Sequence, residues 1–279
     1  MPHMPSILSD FTAPTLVEAV EANMAEQFAY FRHTPRAEVQ DTPEFLRYIS
    51  GIPIPEYNGV IRARFAPGIA PDEIAARIAD AIAPFATRRQ PFFWWLGPTT
   101  QPADLGSHLA ASGFKHAGNG PGMAADLYAL REDAPTLPGL DIVHVEDERV
   151  LRHWVEIAGA GYGEPEAILE ARYSVHLGLG LAEGLPLQRF LAYLDGQPVA
   201  MSALFLAAGV AGVYEVATIP AARRRGVGAA VMLAPLQHAR VLGYRIGVLQ
   251  ASEMGVGVYS RLGFRQCCTF TVYAWEPSN

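Results

Sequence analysis

The spacing of hydrophobic and polar positions predicts alternating helices and strands in both halves of the chain. In the first half, Pro71–Thr87 has the spacing of an alanine-rich helix, and Phe92–Leu96 is a continuous hydrophobic run typical of a buried strand. In the second half, Val213–Ile219 predicts a strand, and Pro220 opens a predicted helix that runs to about Leu242. The pattern therefore predicts an α/β fold, with a mixed α+β sheet flanked by helices.

An uncharged stretch, Gly196–Tyr214, approaches the length of a membrane-spanning helix. Acidic residues flank it, and no lysine or arginine stands nearby to set an orientation. The pair Asp195–Gly196 is a hairpin signal, and Ala208–Gly209 divides the stretch into two runs of strand length. We interpret the stretch as the core of a sheet and predict no membrane association.

The chain is long enough for two domains, since it has 279 residues. A polar segment rich in proline and glycine lies near its midpoint and is the best candidate for a linker. We predict a first domain over residues 1–134, a linker over 135–140 and a second domain over 141–279.

An internal repeat relates the two halves at an offset of 150 residues. Gly113–Phe114 corresponds to Gly263–Phe264, and Leu109 corresponds to Tyr259. Each half is therefore predicted to end with a strand, a helix, the Gly-Phe pair and a further strand.

Composition and charge exclude several classes of protein. Half of the residues are hydrophobic and 18% are charged, which is typical of globular cores rather than disorder. The net charge of −7 argues against a nucleic-acid partner. The two cysteines, Cys267 and Cys268, are adjacent, so we expect one buried and one exposed thiol, without a metal site or a disulfide framework. The N-terminus lacks the pattern of a signal peptide, and we expect a cytoplasmic protein.

The clearest chemical signal lies where a strand gives way to a helix, at Arg223-Arg-Arg-Gly-Val-Gly228. Each glycine costs a helix about 1 kcal/mol relative to alanine, and arginines oppose the positive end of the helix dipole. A bound polyphosphate explains both features, and the alternative is the start of a surface helix with incidental glycines. The lysine of a Walker loop is missing, and Val231 stands where a dinucleotide fingerprint needs glycine or alanine. Pro71–Thr87 has no such glycine pair, so only the second half is expected to bind the cofactor.

These motifs together resemble the GNAT acetyltransferase family. Arg223, Gly226 and Gly228 match the family's pattern of arginine or glutamine, two residues, glycine, one residue, and glycine or alanine. A strand precedes this pattern, and Tyr259 and Gly263–Phe264 follow it. The resemblance covers residues 141–279 well and the first half weakly. It implies two GNAT-like domains, each a central mixed sheet flanked by helices, with a degenerate N-terminal one.

The resemblance also implies acetyl-CoA as co-substrate. The preceding strand would pair with the pantetheine arm, the backbone of the loop would hold the pyrophosphate, and arginine side chains would reach the 3′-phosphate. Ser252 occupies a position where family members often have an asparagine that contacts the cofactor. The implied acetyl-CoA residues are Val216, Ala217, Thr218, Arg223, Arg224, Arg225, Gly226, Val227, Gly228, Ala229 and Ser252.

Two residues are implied as catalytic. Tyr259 matches the tyrosine that protonates the leaving thiolate; the alternative is a tyrosine packed in the core. Glu215, on the strand before the loop, is the first candidate for the general base, and Glu253 is the second. A partnered or solvent-facing carboxylate is the alternative for Glu215. Tyr162 and Tyr173 lie where the family usually shapes the acceptor site.

The favoured function is transfer of an acetyl group from acetyl-CoA to a primary amine of a small molecule or peptide, by direct attack in a ternary complex. A non-catalytic protein that binds or senses acyl-CoA is the alternative, and it would need neither Tyr259 nor a base. The presence of Tyr259 beside the Gly-Phe pair favours the enzyme.

Overall fold

The computed structural model describes residues 7–132 and 137–277. Residues 133–136, where the predicted first domain ends and the predicted linker 135–140 begins, lie outside these ranges. The helices of the described chain are α1 (Ala13–Ala29), α2 (Pro71–Arg88), α3 (Leu105–Ala111), α4 (Glu148–Tyr162), α5 (Glu166–Gly178), α6 (Val227–Val241) and α7 (Glu253–Leu262). Its strands are β1 (Glu38–Asp41), β2 (Leu46–Ile49), β3 (Asn58–Ile61), β4 (Phe92–Leu96), β5 (Lys115–Asp126), β6 (Leu140–His144), β7 (Leu187–Leu194), β8 (Gln197–Ala207), β9 (Val210–Thr218), β10 (Ile246–Gln250) and β11 (Arg265–Trp275).

All of these strands form one mixed sheet, in the order β1-β2-β3-β4-β11-β5-β10-β9-β8-β7-β6. The neighbours β3 and β4 are parallel, as are β9 and β10, and every other pair is antiparallel. The predicted α/β class with a mixed sheet flanked by helices is confirmed.

The halves are joined by an exchange of strands at the centre of the sheet. β11, the last strand of the chain, lies between β4 and β5, while β5 of the first half pairs with β10 of the second. Gly120 of β5 pairs directly with Phe270 of β11. These two residues are separated by the 150 positions of the sequence repeat, so a pseudo-twofold axis relating the halves passes through this pair.

Helices cover both faces of the sheet. Helices α1, α4 and α5 pack on one face over a hydrophobic core that is continuous across both halves. On the other face, α2 and α3 cover the first half, and α6 and α7 cover the second. Phe92 and Trp94 of β4 are fully buried beneath α2 and α3, so this aromatic strand is core.

Both predicted hairpin turns are confirmed. Asp195 and Gly196 join β7 to β8, Ala208 and Gly209 join β8 to β9, and all four have positive φ angles, as two-residue hairpin turns require. The uncharged stretch is therefore strand. No helix in the described ranges is long and apolar enough to cross a membrane.

The prediction of one buried and one exposed thiol is wrong. A β-bulge between Gln266 and Cys268 makes Cys267 an extra residue in β11 and interrupts the alternation of side chains. Both thiols are partly buried against the central core.

Candidate active site

The segment between β9 and α6 is a loop rather than the first turns of the helix. A short 3₁₀ turn at Pro220–Ala222 is followed by positive φ angles at Arg224 (60°) and Gly226 (88°), and α6 begins at Val227. The prediction that the helix starts at Pro220 is wrong, because left-handed residues cannot continue a right-handed helix.

This loop presents a run of unpaired backbone donors. The five consecutive N–H groups of Arg224–Gly228 donate to no acceptor among the described residues. The N–H of Ala229 donates to the carbonyl of Gly226 at 3.1 Å, which ends the run. Unpaired N–H groups at the positive end of a helix bind anions, so the loop has the chemistry of a phosphate site.

The three arginines of the loop have different environments. Arg223 donates from Nε to the carbonyl of Thr218 at 3.0 Å and from Nη2 to the carbonyl of Gly161 at 2.9 Å, so it ties the loop to the ends of β9 and α4. Arg224 and Arg225 are exposed and pair with no acid in the part of the chain described. Only the latter two have guanidinium groups available to an anion.

The strand that leads into the loop has a free edge. β9 pairs with β10 only at Ala211–Gly247 and Gly212–Val248, while its other edge pairs with β8 as far as Thr218. Beyond Gly212 the edge facing β10 has no ladder partner among the described residues, and the predicted pantetheine-binding residues Val216–Thr218 lie there. Such an edge offers its backbone groups to an extended ligand.

The equivalent gap in the first half is closed. Gln101 donates to the carbonyl of Ala63 at 2.9 Å and accepts from the N–H of Phe65 at 3.0 Å, which joins the segments that follow β3 and β4. In addition, α2 begins with Pro71-Asp-Glu, whose carboxylates repel an anion.

Tyr259 lies on α7 in a partly buried position. Its ring packs edge-on against Phe264, its hydroxyl bonds to no described residue, and burial raises its pKa above the usual value. The residue at the equivalent position of the repeat, Leu109, is completely buried in the core of the first half. Ser252 caps α7 by accepting from the N–H of Gly255 at 3.3 Å, which leaves its hydroxyl proton available to a ligand.

Glu215 lies in a β-bulge of β9, where it and Val216 together oppose Ser202 of β8. Its φ of 51° is unusual for a residue other than glycine. The bulge directs its carboxylate into a polar cluster, where Oε2 accepts from Arg172 Nη1 at 2.7 Å and from the hydroxyl of Tyr57. Burial raises the pKa of Glu215, and Arg172 and Tyr57 partly offset this effect.

Arg172 of α5 organises the cluster. Besides Glu215, it binds both carboxylate oxygens of Glu164, at 2.6 and 3.2 Å, and its side chain is only 1% exposed. Burial lowers the pKa of Arg172, but the neighbouring Tyr57, Glu215 and Glu164 outweigh this and raise it. Arg172 is therefore a permanent cation between two carboxylates.

His176, one turn after Arg172, is buried beside Glu215. Its Nδ1 accepts from Arg189 Nε at 2.9 Å, so the neutral ring carries its proton on Nε2, which lies 3.6 Å from Glu215 Oε1. Burial, with Arg189 and Arg172, lowers the pKa of His176 well below its usual value. Burial also lowers the pKa of Arg189 to about 10.

The structure places the two tyrosines implied for the acceptor site differently. Tyr162 is 47% exposed, and its ring lies 5.9 Å from the guanidinium of Arg172; burial raises the pKa of Tyr162, as do Glu215 and Tyr259. Tyr173 instead donates to Glu148 on the outer surface. Tyr162 therefore borders the cluster, whereas Tyr173 lies away from it.

The sequence did not reveal the partners of Glu215. None of these partners, which are Tyr57, Arg172 and His176, belongs to a motif. Their roles depend on tertiary packing, and Tyr57 and Arg172 are more than 100 residues apart in the sequence. The only local signal was Glu215 itself, an acid at the end of an uncharged strand pair.

Comparison with known proteins indicates the class of protein to which this fold and site correspond. Residues 151–264 match the sequence profile of the Acetyltransferase (GNAT) family. The second half of the chain thus contains a GNAT domain, and acyl transfer is the class of activity that the match supports. A comparison with curated proteins finds no significant match.

Solved structures share the fold along most of the chain. A GCN5-related N-acetyltransferase from Kribbella flavida superposes with a TM-score of 0.68 at 21% identity, covering 93% of this chain and 96% of that one. A tandem GNAT protein from the clavulanic acid biosynthesis pathway gives a TM-score of 0.62 at 16% identity, covering 98% of both chains. A functionally unknown conserved protein from Staphylococcus epidermidis gives 0.65 at 12% identity, covering 86% and 93%. The chain has the GNAT fold, in an arrangement similar to a tandem GNAT protein.

Proposed function

We propose that the protein transfers an acetyl group from acetyl-CoA to a primary amine of a small molecule or peptide. The observation that carries the proposal is the run of five N–H groups at Arg224–Gly228 that pair with nothing in the described part of the chain, next to an edge of β9 that is likewise unpaired there. A pyrophosphate attached to an extended polar arm has the chemistry to use both features at once.

The residues present fit this co-substrate. The backbone of Arg224–Gly228 would hold the pyrophosphate, and the free edge at Val216–Thr218 would pair with the pantetheine arm. The exposed side chains of Arg224 and Arg225 would reach the 3′-phosphate, and the hydroxyl of Ser252 would add one hydrogen bond.

The reaction is a direct transfer. The amine nitrogen attacks the thioester carbonyl carbon, a C–N bond forms, the C–S bond breaks, and the thiolate leaves. Tyr259 supplies a proton to the thiolate, and its raised pKa keeps the hydroxyl protonated for this role. The attacking nitrogen loses its proton to Glu215, so that overall one proton passes from amine to thiol.

The hydrogen bonds of Glu215 support its assignment as the base. Its Oε2 is occupied by Arg172 and Tyr57, whereas Oε1 accepts no hydrogen bond from a described residue. A carboxylate fixed through one oxygen is oriented for proton transfer, and its raised pKa makes it a stronger base.

Two measurements on the full chain test the proposal. Acetyl-CoA is expected to raise the melting temperature, and 3′-dephospho-CoA is expected to raise it less. A panel of amino acids, polyamines and peptides with free amines is then incubated with acetyl-CoA, and free thiol is measured. Failure of acetyl-CoA to stabilise the protein removes the cofactor assignment. Binding without thiol release from any amine supports the acyl-CoA-sensing alternative instead.

A further inference from the structure

Tyr57 is the point at which the N-terminal half reaches the polar cluster of the second half. It belongs to the 3₁₀ turn Pro55–Tyr57, directly before β3, and its ring lies 4.6 Å from the guanidinium of Arg172. The residue is buried, and its hydroxyl bonds to two charged side chains, those of Glu215 and Arg172.

The direction of its hydrogen bonds follows from the chemistry of its partners. Arg172 only donates, so the Tyr57 oxygen accepts from Arg172 Nη1. The hydroxyl proton is then directed to Glu215 Oε2, which as part of a carboxylate only accepts. Because Arg172 Nη1 also donates to the same Oε2, the three groups form a closed triangle.

We propose that Tyr57 is a positioning residue for acyl transfer, which holds the carboxylate of Glu215 through Oε2 in the orientation that accepts the proton of the acceptor amine. This inference rests on the proposed function. It assigns the N-terminal half, whose own cofactor cleft is closed, a direct part in the active site of the other half. The unfavourable φ of Glu215 supports it, because a strained residue keeps its geometry only where its neighbours constrain it.

Several titratable or charged groups face Glu215 and together determine its pKa. They are Tyr57 from the 3₁₀ turn, Tyr162 from α4, Glu164 from the loop before α5, Arg172 and His176 from α5, and Arg189 from β7. The hydrogen bond from Tyr57 stabilises the charged form of Glu215 and lowers its pKa. Without this bond Glu215 becomes ionised only at a higher pH.

The test compares the pH dependence of kcat/KM for the wild type, Tyr57→Phe and Tyr48→Phe. Phenylalanine at position 57 keeps the ring and removes only the hydroxyl. Tyr48 is a matched control, since it is buried in the same half and its hydroxyl has no acceptor among the described residues. The acidic limb is expected to shift upward by about one pH unit in Tyr57→Phe, and to stay in place in Tyr48→Phe.

A merely structural role for Tyr57 predicts a different result, a lower melting temperature with the limb unmoved, and that result overturns the proposal. It would leave the proposed function intact, provided that the wild type releases thiol with an amine. If the wild type fails to release thiol with every amine tested, both the proposed function and the role of Tyr57 are overturned.

A second variant covers the case in which Tyr57→Phe does not fold. Site-specific 3-fluorotyrosine at position 57 keeps the shape and the hydroxyl, and the fluorine makes that hydroxyl a stronger donor. The acidic limb is expected to move to lower pH, opposite to the shift in Tyr57→Phe. An unchanged limb contradicts the proposal.

Discussion

Gly255 lies directly against the ring of Tyr259 on α7. A Cβ added to Gly255 would lie 2.6 Å from Cε2 of the tyrosine and 3.2 Å from its hydroxyl oxygen, so the ring must move to admit alanine. The position of the Tyr259 ring, which is proposed to donate a proton to the thiolate, therefore depends on the glycine one turn before it.

The substitution Gly255→Ala is expected to lower kcat by roughly tenfold to a hundredfold, because a displacement of about 1 Å at a reacting group costs that much. Gly257→Ala on the same helix is the matched control, since its Cβ would meet only Arg261 Nη1, at 3.6 Å. It is expected to leave kcat unchanged and to stabilise the fold by about 0.5–1 kcal/mol. Equal kcat values for the two variants, measured by thiol release, would separate Tyr259 from the chemistry.

Removing the Tyr259 hydroxyl tests the same residue directly. Tyr259→Phe is expected to reduce kcat roughly a hundredfold, which is the lower range for loss of an acid catalyst, and to leave the dissociation constant of acetyl-CoA nearly unchanged. The hydroxyl bonds to no described residue, so stability should change little. Turnover equal to that of the wild type would remove Tyr259 from the mechanism.

The three neighbouring arginines of the loop are expected to respond differently to substitution. Arg224→Ala and Arg225→Ala should each weaken acetyl-CoA binding by about tenfold and reduce its dependence on salt, with little effect on melting temperature. Arg223→Ala should instead destabilise the fold by about 0.5–1.5 kcal/mol, since its two bonds to backbone carbonyls are lost at an exposed site where water can replace them. Calorimetry and thermal denaturation of the three variants distinguish these roles. A uniform loss of affinity without a difference in stability would contradict the assignment of Arg223.

The pairing of β5 with β11 at the centre of the sheet shows which parts of the fold the sequence repeat could predict. The offset of 150 residues predicted the matching order of strand, helix, Gly-Phe pair and strand, and Gly120 and Phe270 lie opposite each other at that offset. The exchange of β5 and β11 was not predictable, because a repeat indicates equivalent elements but not which half each strand pairs with. β5 is also rich in glycine and contains Pro121, so its composition disfavours a central strand.

In the candidate active site, too, the features set by neighbouring residues were predictable from the sequence, and those set by tertiary packing were not. The cofactor loop was predictable because helix-end electrostatics and glycine conformation act within a few residues. The surroundings of Glu215 were not, because its hydrogen-bond partners Tyr57 and Arg172 come from two separate segments, and Arg172 is in turn held by Glu164. Only the fold brings them together.

The buried His176 makes an acid-sensitive contribution to stability. Its pKa is lowered well below the usual value in the folded protein, so the unfolded chain binds a proton there that the folded chain does not. Stability is therefore present above the unfolded pKa of about 6.5 and is lost as pH falls through it, by about 1.4 kcal/mol per pH unit.

His176→Gln is expected to lose less stability than the wild type between about pH 7 and about pH 5, because glutamine does not titrate there. The glutamine oxygen can still accept from Arg189 Nε, the contact that His176 Nδ1 now makes. The exposed His116→Gln is the control and should follow the wild type. Urea unfolding at both pH values gives the free energies. If His176→Gln and His116→Gln lose the same stability on acidification, His176 takes up its proton in the folded protein, and it cannot be the neutral ring that donates toward Glu215.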